Sequence, residues 1–306
     1  MTIAIISHPD CARHNPDPHH PERAARLSAI QDQLIASGLD FVLEHHRAPQ
    51  ATREQLCRVH DAEFVELIFS KAPKAGQILL DPDTAMTPHS LNAALAAAGA
   101  AVLGVDLVMN DKAQAAFCNV RPPGHHAEHD MAMGFCIFNN VAVGAAHAIE
   151  QYHLKRIAII DFDVHHGNGT EDIFKNAPEV LLCSTFQHPF YPHSGADSAY
   201  NNIINVPLAA GSDGKIFRAA IEKHWLAELE AFKPELIFFS AGFDAHKEDD
   251  MANLNLVEED FAWVTREVKK IADKYANGRM VSTLEGGYAL SALGRSVVAH
   301  INAMLG

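Results

Sequence analysis

The sequence has no C-x-x-C pair, and its five cysteines (Cys11, Cys57, Cys118, Cys136 and Cys183) are scattered and odd in number. That spacing argues against a disulfide framework and against a thiolate zinc site. Reduced thiols in a cytoplasmic setting are expected instead. Cys118 and Cys183 lie in apolar runs and are expected in the core. Basic runs are missing too. Lys and Arg number 24 against 38 Asp and Glu, a net charge of −14. Nucleic-acid binding through phosphates is therefore not expected. An acidic surface favours cationic ligands and also serves solubility. Long apolar runs are scarce. The N-terminal MTIAII has no basic flank and meets His8-Pro9-Asp10 within a few residues, too soon for a signal peptide or a membrane span. The most apolar stretch, 93–105, is alanine-rich and stops at Asp106, which reads as a buried helix, so no membrane partner is expected. No internal repeat, low-complexity segment or flexible linker divides the chain, and 1–306 is expected to form one domain.

What is present is an ordinary globular composition, 48% apolar and 20% charged, with 20 histidines as the anomaly. Short apolar β-branched runs predict strands at 3–7, 41–45, 115–120, 156–161, 180–185, 203–208, 236–242 and 280–287. Several are apolar throughout, as parallel strands covered on both faces must be. Helical patterns lie between them, at 21–37, 62–70, 89–109, 139–152, 213–230, 257–276 and 290–304. Pro21 and Pro88 suit first helical turns, and Ser212-Asp213 can cap the next helix. The alternation predicts one doubly wound α/β domain.

Such a fold collects ligands at the carboxyl ends of its parallel strands. Four strands end in chemistry there: Arg121-Pro122-Pro123-Gly124-His125-His126, Asp161-Phe162-Asp163-Val164-His165-His166-Gly167-Asn168, Asp244-Ala245-His246 and Glu285-Gly286-Gly287-Tyr288. In an extended segment Asp161, Asp163 and His165 project to one side. Asp163 and His165 suit a metal ion as carboxylate and imidazole ligands. The bland reading makes them turn and cap residues before a helix starting near Gly167. Asp244, after another apolar strand, adds a third ligand and leaves a fourth position open, the catalytic type of zinc site. Five protein ligands would leave no room for substrate, so His125 and His126 read as acid–base groups rather than ligands. Asp161 and Asn168 are the available orienting partners. Tyr288, after two glycines, can reach a developing oxyanion; its bland reading is a packing tyrosine. His129 reads as a loop residue.

The motifs RPPGHHA, GFCIFNNVA, DFDVHHGNGT, AGFDAH and EGGY, with HHPERAARL at 19–27, resemble those of the histone deacetylase family, in the family's order and over nearly the whole chain. The likeness is to the class II branch and its bacterial relatives. It implies a single-domain arginase–deacetylase α/β fold with an eight-stranded parallel sheet flanked by helices. It also implies a zinc-dependent amidohydrolase that releases acetate from acetyl-lysine in a peptide or protein. Asp163, His165 and Asp244 match the zinc ligands, with ferrous iron as the alternative ion. His126 matches the general base and acid, paired with Asn168, where class I members carry Asp. His125 matches the histidine paired with Asp161, and Tyr288 the catalytic tyrosine. Gly134 and Phe135 match one wall of the acyl-lysine channel and Tyr191 the opposite wall, where phenylalanine is common. Arg26, grouped with these substrate-side residues, matches an arginine below the active site. A structural potassium ion is implied at Asp161, Asp163 and His165 with Ser184 and Thr185.

Three other readings compete. Acetylpolyamine amidohydrolases share the catalytic set but usually add an acidic gatekeeper, and alignment places that position at Met251, beside Asp249 and Asp250. An arginase-type binuclear site needs a second carboxylate on the AGFDAH segment, which offers one. A non-catalytic acyl-lysine binder could dispense with the tyrosine or a histidine, and none is missing.

Overall fold

The computed structural model describes residues 2–15, 17 and 19–306. Its strands, in chain order, are β1 (Ile3–Ser7), β2 (Leu43–Arg47), β3 (Ile78–Leu79), β4 (Ala85–Met86), β5 (Ala115–Cys118), β6 (Ile157–Asp161), β7 (Val180–Gln187), β8 (Ile203–Leu208), β9 (Leu236–Ala241) and β10 (Met280–Leu284). Its helices are α1 (Ala25–Ala36), α2 (Arg53–Leu56), α3 (Ala62–Lys71), α4 (Ser90–Met109), α5 (Asn140–Tyr152), α6 (Asn168–Phe174), α7 (Gly214–His224), α8 (Leu226–Phe232), α9 (Glu258–Tyr275) and α10 (Leu290–Leu305).

Eight strands form one sheet in the order β2-β1-β5-β10-β9-β6-β7-β8, every neighbouring pair parallel. The fully apolar strands are explained by two cores. Ile157 and Ile159 of β6 face one, with α4 and α5. Ala158 and Ile160 face the other, with α1, α7, α8, α9 and α10. Since side chains alternate along a strand, both parities must be apolar when both faces are covered. The helix α4 is apolar and long enough to cross a membrane, but it packs inside the protein, with Ala93 to Ala98 buried.

Several boundaries differ from the sequence pattern. The helix expected from 21 starts at Ala25, because Glu22 turns inward. There it accepts hydrogen bonds from Arg121 Nη2 at 2.6 Å and Arg26 Nη1 at 3.0 Å. The strand expected at 41–45 shifts to β2, after a short 3-10 turn that leaves Phe41 exposed. The helix expected over 213–230 breaks into α7 and α8 at Trp225, which is fully buried. Asp213 caps α7 through the amides of Lys215 and Ile216. The helix read as starting near Gly167 is α6, whereas the small antiparallel pair β3–β4 and the short α2 have no counterpart in the expected elements.

Candidate active site

The four strands whose ends carry ionisable groups are consecutive in the sheet, β5-β10-β9-β6. All run parallel, so their carboxyl ends meet on one rim. There they surround a cavity of about 210 Å³.

Its floor is acidic. Asp163, His165 and Asp244 are buried, and one ligand atom from each lies within 4.8 Å of the others. His165 Nδ1 is 3.0 Å from Asp163 Oδ1 and 3.2 Å from Asp244 Oδ2. Burial and the neighbouring Asp163 push the Asp244 carboxyl up to about 6. Burial opposes a charge on His165, yet Asp163 and Asp244 push it up to about 10. A buried place that draws a proton onto an imidazole against desolvation favours a cation. The donor set, two carboxylates and one imidazole nitrogen, is the type that holds a divalent metal ion and leaves a position open. A Cβ on Gly286 would lie 2.1 Å from Asp244 Oδ2 and 2.6 Å from Asp163 Oδ2, so glycine is required over these oxygens.

Beside the floor stand the paired imidazoles, ring centroids 4.0 Å apart. His125 Nδ1 donates to Asp161 Oδ2 at 3.0 Å. Burial disfavours its charge, but Asp163 and Asp161 overcome this and push His125 up to about 10. His126 Nδ1 is 2.8 Å from Asn168 Oδ1. Asn168 Nδ2 donates to Glu128 Oε1 at 2.7 Å, which turns the amide oxygen toward the ring. Nδ1 of His126 therefore carries the proton, and Nε2 keeps its lone pair. Burial, then the charges of His125 and His165, hold His126 well below the ordinary histidine range. The two neighbours thus divide into a cation and a free base, as groups pushed apart by their surroundings do. The helix α6 begins at Asn168, which explains how a residue just past the ligand segment reaches back to His126.

The walls are aromatic. Phe135 and Tyr288 meet edge to face at 6.3 Å. Phe190 stacks on His165 at 5.5 Å, and Tyr191 stands edge-on to His126 at 5.2 Å. Gly134, at φ +57°, passes so close to His126 that a Cβ would lie 2.4 Å from its ring. The β3–β4 turn holds this stretch in place. Asp83 Oδ1 accepts from the Gly134 amide and Thr84 Oγ1 from the Phe135 amide, both at 3.0 Å.

The profile of the histone deacetylase domain matches residues 20–304. The chain belongs to the histone deacetylase family. It is 38% identical to the histone deacetylase-like amidohydrolase of Pseudomonas aeruginosa, over 88% of this chain and 72% of that protein. It is 35% identical to a probable deacetylase of Archaeoglobus fulgidus, over 100% of this chain and 87% of that protein. Among solved structures it superposes on the HDA15 HD domain with a TM-score of 0.93 and 31% identity, covering 99% of this chain and 88% of that one. The eight-stranded parallel sheet flanked by helices is the arginase–deacetylase fold of this family, whose members include hydrolases named deacetylase and amidohydrolase.

The structure brings together Asp161, Asp163, His165, Asn168, His125, His126, Asp244, Tyr288, Gly134, Phe135 and Tyr191. Arg26 is different. It is fully buried beneath Tyr288, its guanidinium 5.0 Å from the ring centroid, and does not line the cavity. Besides Glu22, it donates to the carbonyls of Glu285 and Gly287, so it acts on the backbone of the tyrosine loop. Ser184 and Thr185 are buried on β7. Ser184 pairs in register with Asp161, and its Oγ has no hydrogen-bond partner, a donor set that fits a monovalent cation. His129 is exposed and pairs with Asp172, outside the site. Asp83 and Phe190 also line the cavity, and neither is expected from the sequence. Asp83 lies in a polar turn with no periodic pattern to place it. Phe190 adjoins Tyr191, and the F-Y-P run was the available signal.

Proposed function

We propose that this protein hydrolyses the amide of Nε-acetyl-lysine in peptides or proteins, with a single zinc ion held by Asp163, His165 and Asp244. The observation that carries this reading is geometric: His125, bonded to Asp161, and His126, bonded to Asn168, stand side by side next to the buried triad Asp163, His165 and Asp244. Zinc, when bound, supplies Lewis acidity that polarises the amide carbonyl and acidifies the attacking water. His126 Nε2 takes the proton of that water and later delivers it to the departing lysine amine. His125, charged and anchored on Asp161, stabilises the negative charge that develops. The phenol of Tyr288, kept protonated by burial, donates to the oxyanion. Phe135, Phe190 and Tyr191 give the aliphatic lysine stem an apolar passage. Potassium at Asp161, Ser184 and Thr185 belongs to the same reading, as a structural ion that balances the second carboxylate.

Peptide substrates are favoured over acetylpolyamines by the occupant of the gatekeeper position. Met251 lines the cavity, while Asp249 spends its carboxylate on backbone amides. The test is a kcat/KM panel of acetyl-lysine peptides, longer acyl-lysines, acetylspermidine and acetylputrescine. A preference for the polyamines would overturn the substrate assignment. Chelation should abolish hydrolysis and zinc restore it. Full activity in protein shown to be metal-free would overturn the metal role.

A further inference from the structure

The segment that carries Tyr288 has little rigidity of its own. It leaves β10 at Leu284 and enters α10 at Leu290, and between them lie Gly286 and Gly287, the latter at φ +121°. Ala289, the residue that opens α10, supplies no side-chain cap. A phenol that must meet an oxyanion within a fraction of an ångström needs more than this.

Two buried charges grip the segment from opposite sides. Arg26 takes its carbonyls, donating through Nε to Gly287 O at 2.6 Å and through Nη2 to Glu285 O. Asp249 takes its amides. Its Oδ2 accepts from Tyr288 N at 2.6 Å and Ala289 N at 2.9 Å, and its Oδ1 accepts from Met251 N at 3.1 Å. Asp249 is 6% exposed. It lies on the loop that runs from the ligand Asp244 to the cavity wall at Met251, so one carboxylate joins the tyrosine, the wall and the ligand-bearing loop.

We propose that Asp249 is a positioning residue for Tyr288: through the backbone amides of residues 288 and 289 it sets where the phenol stands over the reacting carbonyl. This rests on the reading of Tyr288 as the oxyanion donor. A carboxylate that accepts charge-assisted bonds from two successive amides fixes that peptide more firmly than a neutral acceptor would.

The test is a double-mutant cycle on the zinc-loaded full chain with an acetyl-lysine peptide. Asp249→Ala should lower kcat by roughly ten- to a hundredfold, with KM and zinc content changed less than about twofold. In the Tyr288→Phe background the same substitution should cost less than about twofold. An equal loss in both backgrounds would overturn the role of Asp249 and leave that of Tyr288 standing. A near-wild-type rate for Tyr288→Phe alone would overturn both. Asp249→Asn keeps the size and one acceptor oxygen, so it carries the same cycle if the alanine variant does not fold. Its smaller loss should likewise vanish without the tyrosine hydroxyl. Hydrogen exchange gives a readout apart from turnover: the amides of Tyr288 and Ala289 should exchange faster in the variant while those of β10 do not. Unchanged protection at both amides would also overturn the proposal.

Discussion

The division of labour between two adjacent histidines rests on single atoms. Asp163 and Asp161 raise His125, whereas burial and the neighbouring imidazoles lower His126, whose own partner Asn168 carries no charge. The tautomer of His126 depends on Asn168, whose orientation depends in turn on Glu128. Replacing Asn168 by Asp places a negative charge beside His126 and favours its protonated form. The base must be neutral to accept a proton, so the acid limb of the kcat/KM profile should move to higher pH, by about one unit. A limb that stays in place would show that His126 does not set it. Both partners are legible in the sequence because each sits on the same short segment as the ligands. Glu128 is not, since it has no strand or helix pattern around it.

At the scale of elements, the site is made by the segments just past the strands. β10 ends at Leu284 and not at 287, and just past it the Glu285 carboxylate accepts from the amides of Gly124 at 2.6 Å and His125 at 3.1 Å. The ends of β5 and β10 are thereby tied together. The turn between β3 and β4 likewise holds Gly134 and Phe135. Gly134→Ala should remove most activity, since the new methyl group would meet the His126 ring. Gly76 also has a positive φ, but nothing lies within 4 Å of a Cβ there. Gly76→Ala should therefore cost about 1 kcal/mol of stability and leave kcat unchanged. Side-by-side rates and urea midpoints check the contrast; equal activity losses would mean that backbone strain, not the imidazole contact, explains Gly134.

The whole molecule buries histidines far from the chemistry. His300 packs against Phe117, Phe162, Phe239 and Phe243, is bonded to Thr265 Oγ1 at 2.6 Å and Ser282 Oγ at 2.9 Å, and burial pushes its pKa down to about 3. Burial likewise takes His14 and His60 down to about 4. An unfolded histidine titrates near 6.5, so between these values the unfolded chain binds protons that the folded chain refuses. Stability is present above pH 6.5 and is lost as pH falls. For His300 the loss is roughly 3 kcal/mol between pH 6.5 and 4. Urea midpoints across that range should fall, and His300→Gln should flatten the slope. An unchanged slope would remove His300 from the acid response.

The sequence by itself determined the class of fold, the order of the main-sheet strands along the chain and which polar groups stand at their carboxyl ends. Those features are local: an apolar run marks a strand, and polar groups just past it mark a ligand-bearing end. Only the tertiary structure decided which strands are neighbours. That β5, β10, β9 and β6 lie side by side depends on pairings such as Met280 with Ala115, Met280 with Ile237 and Ile157 with Leu236, which join distant parts of the chain, and no local pattern encodes them. The same holds for Arg26: its motif matches an arginine below the active site, but only the packing of α1 shows that it grips the carbonyls of the tyrosine loop and does not line the cavity. It holds too for Asp249 and Met251, two residues apart, whose opposite fates depend on which way each side chain turns when the loop packs against the start of α10.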